Sequence, residues 1–216
     1  MRRPLTLGVI AVALVALPFA PIGAQSAQFG VAAGASLATL TGDLVDGTKN
    51  YSAFIAGAFA RFDMSGFSIE PGIYYTGKGA KFEDEEEGFD ATNKLAYVQV
   101  PVLVKVGFPM GSTSRFYVGA GPAIGFKVSC KLKASGGGFS ASTDCEDLED
   151  EDGGGLKAKS TEFSGIGVAG IEFGKFAVGI RADLGLTNVY EAFFDDVSLE
   201  PSIKTRTLSL MASIRL

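Results

Sequence analysis

The chain has 216 residues, no histidine, no tryptophan, two cysteines and a formal net charge of −5. Without histidine, Ser-His-Asp and Cys-His nucleophilic sites and histidine-ligated metals are excluded, and the acidic balance argues against a nucleic-acid partner. Twenty-nine glycines, 17 phenylalanines and a mean hydropathy of +0.26 describe an apolar chain whose acids are crowded into two short stretches.

The first segment reads as an export signal. Arg2 and Arg3 precede an uncharged apolar run over residues 5–20, and Pro21-Ile22-Gly23-Ala24 leads into Gln25. Small residues before the scissile bond, after a run too short for a comfortable span, point to a cleaved signal peptide over residues 1–24. A single domain then covers residues 25–216. Cleavage removes two arginines and no acid, so the formal charge moves from −5 to −7. No later apolar run approaches the ~20 residues of a membrane helix. A mature chain that enters a membrane must therefore do so as a closed barrel, because an open sheet edge cannot sit in lipid.

Strand patterns follow in order. Residues 28–40 place Phe29, Val31, Ala33, Ala35 and Leu37 on one face and Gln28, Gly30, Ala32, Gly34 and Ser36 on the other, as a period of two requires. A polar loop covers residues 41–50. Residues 51–62 are a second strand, apolar on both faces, and Asp63-Met64-Ser65-Gly66 is a tight turn. The third strand, 67–76, sets Phe67, Ile69, Pro71, Ile73 and Tyr75 against Ser68, Glu70, Gly72 and Tyr74. An acidic loop is expected over residues 77–94. The fourth strand, to Val106, carries a stripe of Val98, Val100, Val102, Val104 and Val106, with Tyr97, Gln99, Leu103 and Lys105 facing away.

After a turn over residues 108–114, the fifth strand sets Phe116, Val118, Ala120, Pro122, Ile124 and Phe126 against Tyr117, Gly119, Gly121, Ala123, Gly125 and Lys127. The longest loop is expected over residues 130–160. Residues 162–173 and 176–187 are strands joined by Gly174-Lys175. The latter sets Phe176, Val178, Ile180, Ala182, Leu184 and Leu186 against Ala177, Gly179, Arg181, Asp183, Gly185 and Thr187. A last loop, residues 188–204, leads to the closing strand, 207–216, where Leu208, Leu210, Ala212, Ile214 and Leu216 alternate with Thr207, Ser209, Met211, Ser213 and Arg215.

Connections alternate long and short, and one parity is rich in Gly, Ala and Ser with isolated charges. This suits the narrow lumen of an eight-stranded, all-β, antiparallel up-and-down transmembrane barrel. Pro71, Pro101 and Pro122 fall inside strand patterns, where bulges or strand edges at the rim are expected to hold them.

Residues 67–81 (F-S-I-E-P-G-I-Y-Y-T-G-K-G-A-K), 97–105 (Y-V-Q-V-P-V-L-V-K), 116–125 (F-Y-V-G-A-G-P-A-I-G) and 181–189 (R-A-D-L-G-L-T-N-V) resemble the outer-membrane β-barrel domain family of PorT-like proteins, which belongs with small barrels of the OmpA and OmpX type. The resemblance covers nearly the whole mature chain. It implies a bacterial outer-membrane location, a signal peptide and no shared chemistry. Outer-membrane lipid and, during biogenesis, the barrel-assembly machinery are the expected partners. The chain departs from the usual aromatic ending in closing on Leu216.

Of the motifs that suggest chemistry, residues 72–79 match a P-loop until Gly79 stands where a Ser or Thr hydroxyl is needed. Residues 165–170 spell G-x-G-x-x-G inside a strand, where glycines serve close packing and not a dinucleotide. Asn50-Tyr51-Ser52 is a glycosylation sequon, of little weight in a bacterial chain. Acidic residues, among them Glu83, Asp84, Asp150 and Asp152, suit weak cation binding at most, and a solvated, self-repelling loop is preferred.

Cys130 and Cys145 are close enough in an exported chain for an intraloop disulfide. Glu70, Lys105, Glu172, Arg181, Asp183 and Arg215 fall on the inward parity, toward the end with short turns, where they are expected to pair and plug the lumen. No cofactor is expected. A carboxylate-only mechanism has no positive evidence. The reading is a non-enzymatic outer-membrane barrel with a structural or surface-interaction role. The alternative is a narrow channel or transporter for small or apolar ligands.

Overall fold

In the computed structural model, residues 27–42, 48–84, 89–136, 139–145, 155–194, 197–199 and 202–216 are described, and nearly all are strand. In chain order these are β1 (Ala27–Gly42), β2 (Tyr51–Asp63), β3 (Ser68–Asp84), β4 (Phe89–Met110), β5 (Ser114–Gly136) and β6 (Phe139–Asp144). Then come β7 (Gly155–Ala158), β8 (Thr161–Phe173), β9 (Phe176–Gly185), β10 (Tyr190–Phe194), β11 (Val197–Leu199) and β12 (Ile203–Arg215). Eight of them form the wall in the order β1-β2-β3-β4-β5-β8-β9-β12, every pairing antiparallel. The terminal strand closes it, pairing with β1 from Gly30↔Arg215 to Gly42↔Ile203.

Short connections join β2 to β3, β4 to β5 and β8 to β9 at one end, called here the turn end. Gly174 holds φ +56 in the last of these, a left-handed conformation that suits glycine in a two-residue hairpin. Both ends of the described chain lie there, with the Leu216 amide donating to the Phe29 carbonyl at 2.9 Å.

Along the wall the expected parities hold. Phe29, Val31, Leu37, Ile73, Val100, Val102, Val104, Ile180, Leu208 and Leu210 are exposed on the outside. Ser36, Glu70, Tyr74, Gln99, Ala123, Arg181, Asp183 and Ser209 are buried inside. In β2, where both faces are apolar, the lumen takes Ile55, Phe59 and Arg61. Gly170 and Gly179 are cross-strand partners, and a Cβ at either would sit 2.5–2.6 Å from the Tyr117 hydroxyl, which reaches across from β5. Gly165 and Gly167 border open space, so of this glycine string only Gly170 serves close packing.

The prolines are not at the rim. Pro71 has no pairing on its β2 side between Phe59↔Gly72 and Phe62↔Ile69. The β3–β4 ladder lapses beside Pro101, between Pro71↔Val102 and Tyr74↔Gln99. The β4–β5 ladder lapses beside Pro122, between Pro101↔Ala123 and Val104↔Ala120. Each removes one donor and costs a local pair without ending the strand. The register shift between β4 and β5 occurs elsewhere, at Ala96/Tyr97.

Three expected loops give way, in large part, to strand. Residues 77–94 are mostly paired, β3 and β4 matching without a break from Gly77↔Ala96 to Asp84↔Phe89. Residues 130–160 contain the end of β5, with β6 folded back on it from Lys131↔Asp144 to Gly136↔Phe139, and β7. Residues 188–204 hold β10 and β11, which form a separate three-stranded sheet with β7.

The reason is an inversion of polarity. Beyond Val98 on β4 and Leu208 on β12, apolar side chains turn inward: Leu40, Ala80, Leu95, Cys130 and Ile203 are buried. Outside at that level stand polar residues such as Thr39, Lys94, Lys131 and Arg206. Strand pairing continues through the inversion while the hydrophobic pattern changes phase, so periodicity alone reads the outer third as loop.

Candidate functional site: the filled lumen

An eight-stranded barrel is only wide enough for its own side chains. Near the turn end Lys105 Nζ donates to Glu70 Oε1 at 2.5 Å, and Arg61 Nε donates to Asp63 Oδ1 at 2.8 Å. Arg61 also bonds Glu172, whose other oxygen lies 3.7 Å from Arg215. Three cations thus face three carboxylates. The Lys105 ammonium lies 5.0 Å from the Tyr117 ring and 5.9 Å from that of Phe59.

A second layer lies deeper. Lys78 Nζ donates to Glu162 Oε2 at 2.7 Å, Asp183 Oδ1 at 3.0 Å and the Thr205 hydroxyl at 3.3 Å. Gln99 donates to Asp183 Oδ2 at 2.8 Å and to the Ser164 hydroxyl at 2.9 Å, and accepts from Arg181 at 2.5 Å. Arg181 reaches Asp183 at 3.3 Å and stacks 5.0 Å from the Tyr74 ring. Thr205 donates to Glu162. Two cations face two carboxylates, and Lys78 and Glu162 have no exposed side-chain surface. Charges this buried are tolerable only when paired and hydrogen-bonded. Each layer sums to zero net charge, and the condition is met except at Glu172 Oε2, which is buried without a hydrogen bond and faces Arg215 only as an ion pair.

The six expected charges are therefore distributed over two layers. Glu70, Lys105, Glu172 and Arg215 belong to the turn-end layer, whereas Arg181 and Asp183 belong to the deeper one. The expectation of a single cluster at the turn end is corrected to that extent. Arg61, Asp63, Lys78, Gln99 and Glu162 join the layers without being among the expected charges. Counting on from Glu70, Tyr74 and Thr76 along the inward parity of β3 reaches Lys78, and counting back from Glu172 on β8 reaches Glu162; both counts are available in the sequence. Arg61 is hidden there by the two apolar faces of β2.

Between the layers, Ala32, Phe59, Tyr74, Leu103, Tyr117 and Met211 help line a cavity of ≈ 40 Å³. A water needs on the order of 10–15 Å³ measured this way, so the space suits a few waters. Above the deeper layer Leu40, Ala80, Leu95, Tyr97, Val189, Tyr190 and Ile203 pack together as a buried apolar cap. Cys130 and Cys145 are joined by a disulfide within this cap, their Cα atoms 5.4 Å apart across the β5–β6 hairpin. Cys130 thus belongs to a wall strand and not to a loop. Asn93 donates to the Tyr190 hydroxyl, and burial pushes that phenol up from its ordinary pKa.

Of the four cation candidates, two fall within the described strands. Glu83 and Asp84 sit on the outer end of β3, paired in register with Asp90 and Phe89. Asp150 and Asp152 lie outside the described residues. Among the described residues no three acidic or cysteine side chains converge on a metal position.

A family model described as outer membrane protein beta-barrel domain matches residues 23–191. No curated protein matches. Among solved structures, the chain is similar to Neisserial surface protein A, at 14% identity and a TM-score of 0.49, covering 89% of this chain and 100% of that one. It is also similar to the outer membrane protein OprG from Pseudomonas aeruginosa, at 10% identity and 0.47, covering 90% and 98%. Ail, the attachment invasion locus protein of Yersinia pestis, is similar at 17% identity and 0.42, covering 88% and 99%.

Proposed function

The chain belongs to the outer membrane protein β-barrel domain family and lies in the bacterial outer membrane, and on that premise we propose that it is a closed, non-conducting barrel whose role is structural or interactive. The observation that carries this reading is the filled lumen: two neutral ion-pair layers, Arg61/Lys105/Arg215 with Asp63/Glu70/Glu172 and Lys78/Arg181 with Glu162/Asp183, beneath an apolar cap. Moving an ion through it would break buried pairs at several kcal/mol each. The turn end is then periplasmic, as short connections are in such barrels. The surface offered to partners is the outer end, built on the β4–β5–β6 hairpins and the β7–β10–β11 sheet. In this reading residues 1–24 are a signal peptide removed on export and residues 25–216 form the barrel domain.

A liposome-swelling assay with small sugars tests the proposal. Swelling no faster than in protein-free liposomes is expected. Rapid swelling would favour the transport reading.

A further inference from the structure

The level at which polarity inverts carries a group of lysines that the filled lumen leaves unexplained. On β4 the outward residues Val98, Val100, Val102, Val104, Val106 and Phe108 form a continuous apolar stripe. Ten residues at ~3.3 Å each, tilted by ~40°, span about 25 Å, the height of an outer-membrane apolar band. Lys94 lies four residues beyond Val98, about 10 Å above that band by the same geometry. That height is the outer edge of the headgroup layer, which a lysine side chain can reach back into.

Lys94 has company at this height. Its direct cross-strand partner on β5 is Lys131. One pair further out, Thr92 is flanked by Lys81 on β3 and Lys133 on β5. All four side chains are on the outer face, since their strand neighbours Ala80, Leu95 and Cys130 are buried in the cap. Like charges directly opposite one another destabilise a sheet. Of these four, and among the described residues, only Lys131 has a carboxylate partner, Asp144 at 3.5 Å, and that pair is more than half exposed on both sides, where it contributes little. The Lys94 ammonium lies 5.5 Å from the centre of the Tyr51 ring, a cation–π contact that brings no negative charge to it. Asp90 borders the group on the same face, one pair beyond Thr92 and on the side away from the apolar band, so the side toward the membrane is the positive one.

We propose that Lys81, Lys94, Lys131 and Lys133 form a seat for phosphate groups of outer-leaflet lipid, and that its occupant is a glycolipid bearing two phosphates. A zwitterionic phospholipid brings one phosphate and its own ammonium, so it offers no net charge to complement. A bis-phosphorylated headgroup supplies two anionic centres to a patch that runs over three adjacent strands, about 10 Å wide at ~4.8 Å per strand. Anchoring there holds the β3–β4–β5 wall at a fixed depth and neutralises the Lys94–Lys131 pair.

The test uses the refolded mature chain in zwitterionic detergent, titrated with bis-phosphorylated lipid A, dephosphorylated lipid A or inorganic phosphate, and bound species are counted by native mass spectrometry. Retention of the phosphorylated lipid alone, weakening with salt, is expected. Affinity should fall by roughly tenfold or more in a variant carrying K81Q, K94Q, K131Q and K133Q. Equal retention by that variant, or equal retention of the dephosphorylated lipid by the wild type, overturns the proposal. So does stoichiometric capture of inorganic phosphate in competition with the lipid. If the fourfold variant does not refold, K94Q with K131Q makes the same comparison, and the wild-type arm against dephosphorylated lipid decides without any variant.

Discussion

Lys78 has no exposed side-chain surface and holds Glu162, Asp183 and Thr205 with one ammonium. Replacing it by Met leaves two carboxylates facing each other in a water-poor layer, so Lys78→Met is expected to destabilise the barrel by about 3–5 kcal/mol. Combining it with Glu162→Gln should recover part of that loss, because one of the orphaned charges is removed with its partner. Urea unfolding in micelles measures both. A single variant as stable as wild type would mean that the deeper layer is not formed as described. At this scale the sequence is partly legible. Glu70, Lys105, Glu172, Arg181, Asp183 and Arg215 can be assigned inward because each lies opposite an apolar stripe. Lys78 stands two steps past Thr76 in the same series, but inside a string resembling a phosphate loop and next to an acidic run, so its surroundings read as loop. Side-chain partners across the lumen come from strands far apart in sequence, and strand parity does not specify them.

At the scale of the element, the strands divide into a lipid-facing segment and an outer segment of opposite polarity. Val102 lies midway along the β4 stripe, so Val102→Arg is expected to cost roughly 2–4 kcal/mol in folding into bilayers. A side chain at Gly121 would fail for a different reason, since its Cβ would fall 1.9 Å from the Val102 carbonyl oxygen. A Val102→Arg variant that refolds as well as wild type would place that face away from lipid. The outer segment obeys another rule. The Cys130–Cys145 disulfide closes a loop with a sequence separation of 15, for which chain entropy gives about 3 kcal/mol of constraint. Because it bridges β5 and β6 beyond the membrane band, its removal should loosen residues 131–144 and leave the β1–β12 seam intact. Hydrogen exchange on a protein with both cysteines changed to serine should show faster exchange in that hairpin alone. Faster exchange spread through β1 and β12 would contradict it. The lipid-facing segments are readable because one face is apolar throughout. The outer ends are not, because the apolar residues Leu95, Cys130 and Ile203 change sides there while the backbone ladder continues.

For the whole molecule, closure follows from a terminal strand that pairs along its length with the first, and that pattern is legible in the alternation of residues 207–216 and of residues 28–40. What the sequence does not supply is the degree of filling, which depends on how far each inward side chain reaches. Tyr117 crosses to the Gly170–Gly179 pair, Arg181 lies against Tyr74, and the loop-end sheet brings Val189 and Tyr190 into the cap. Together they leave ≈ 40 Å³ between the ion-pair layers. Single-channel recording of the refolded wild-type protein in planar bilayers tests the filled lumen most directly. No stepwise conductance above the bare bilayer is expected at any applied voltage the membrane survives. A steady, sizeable open level in the wild-type protein would contradict the account and make the barrel a channel.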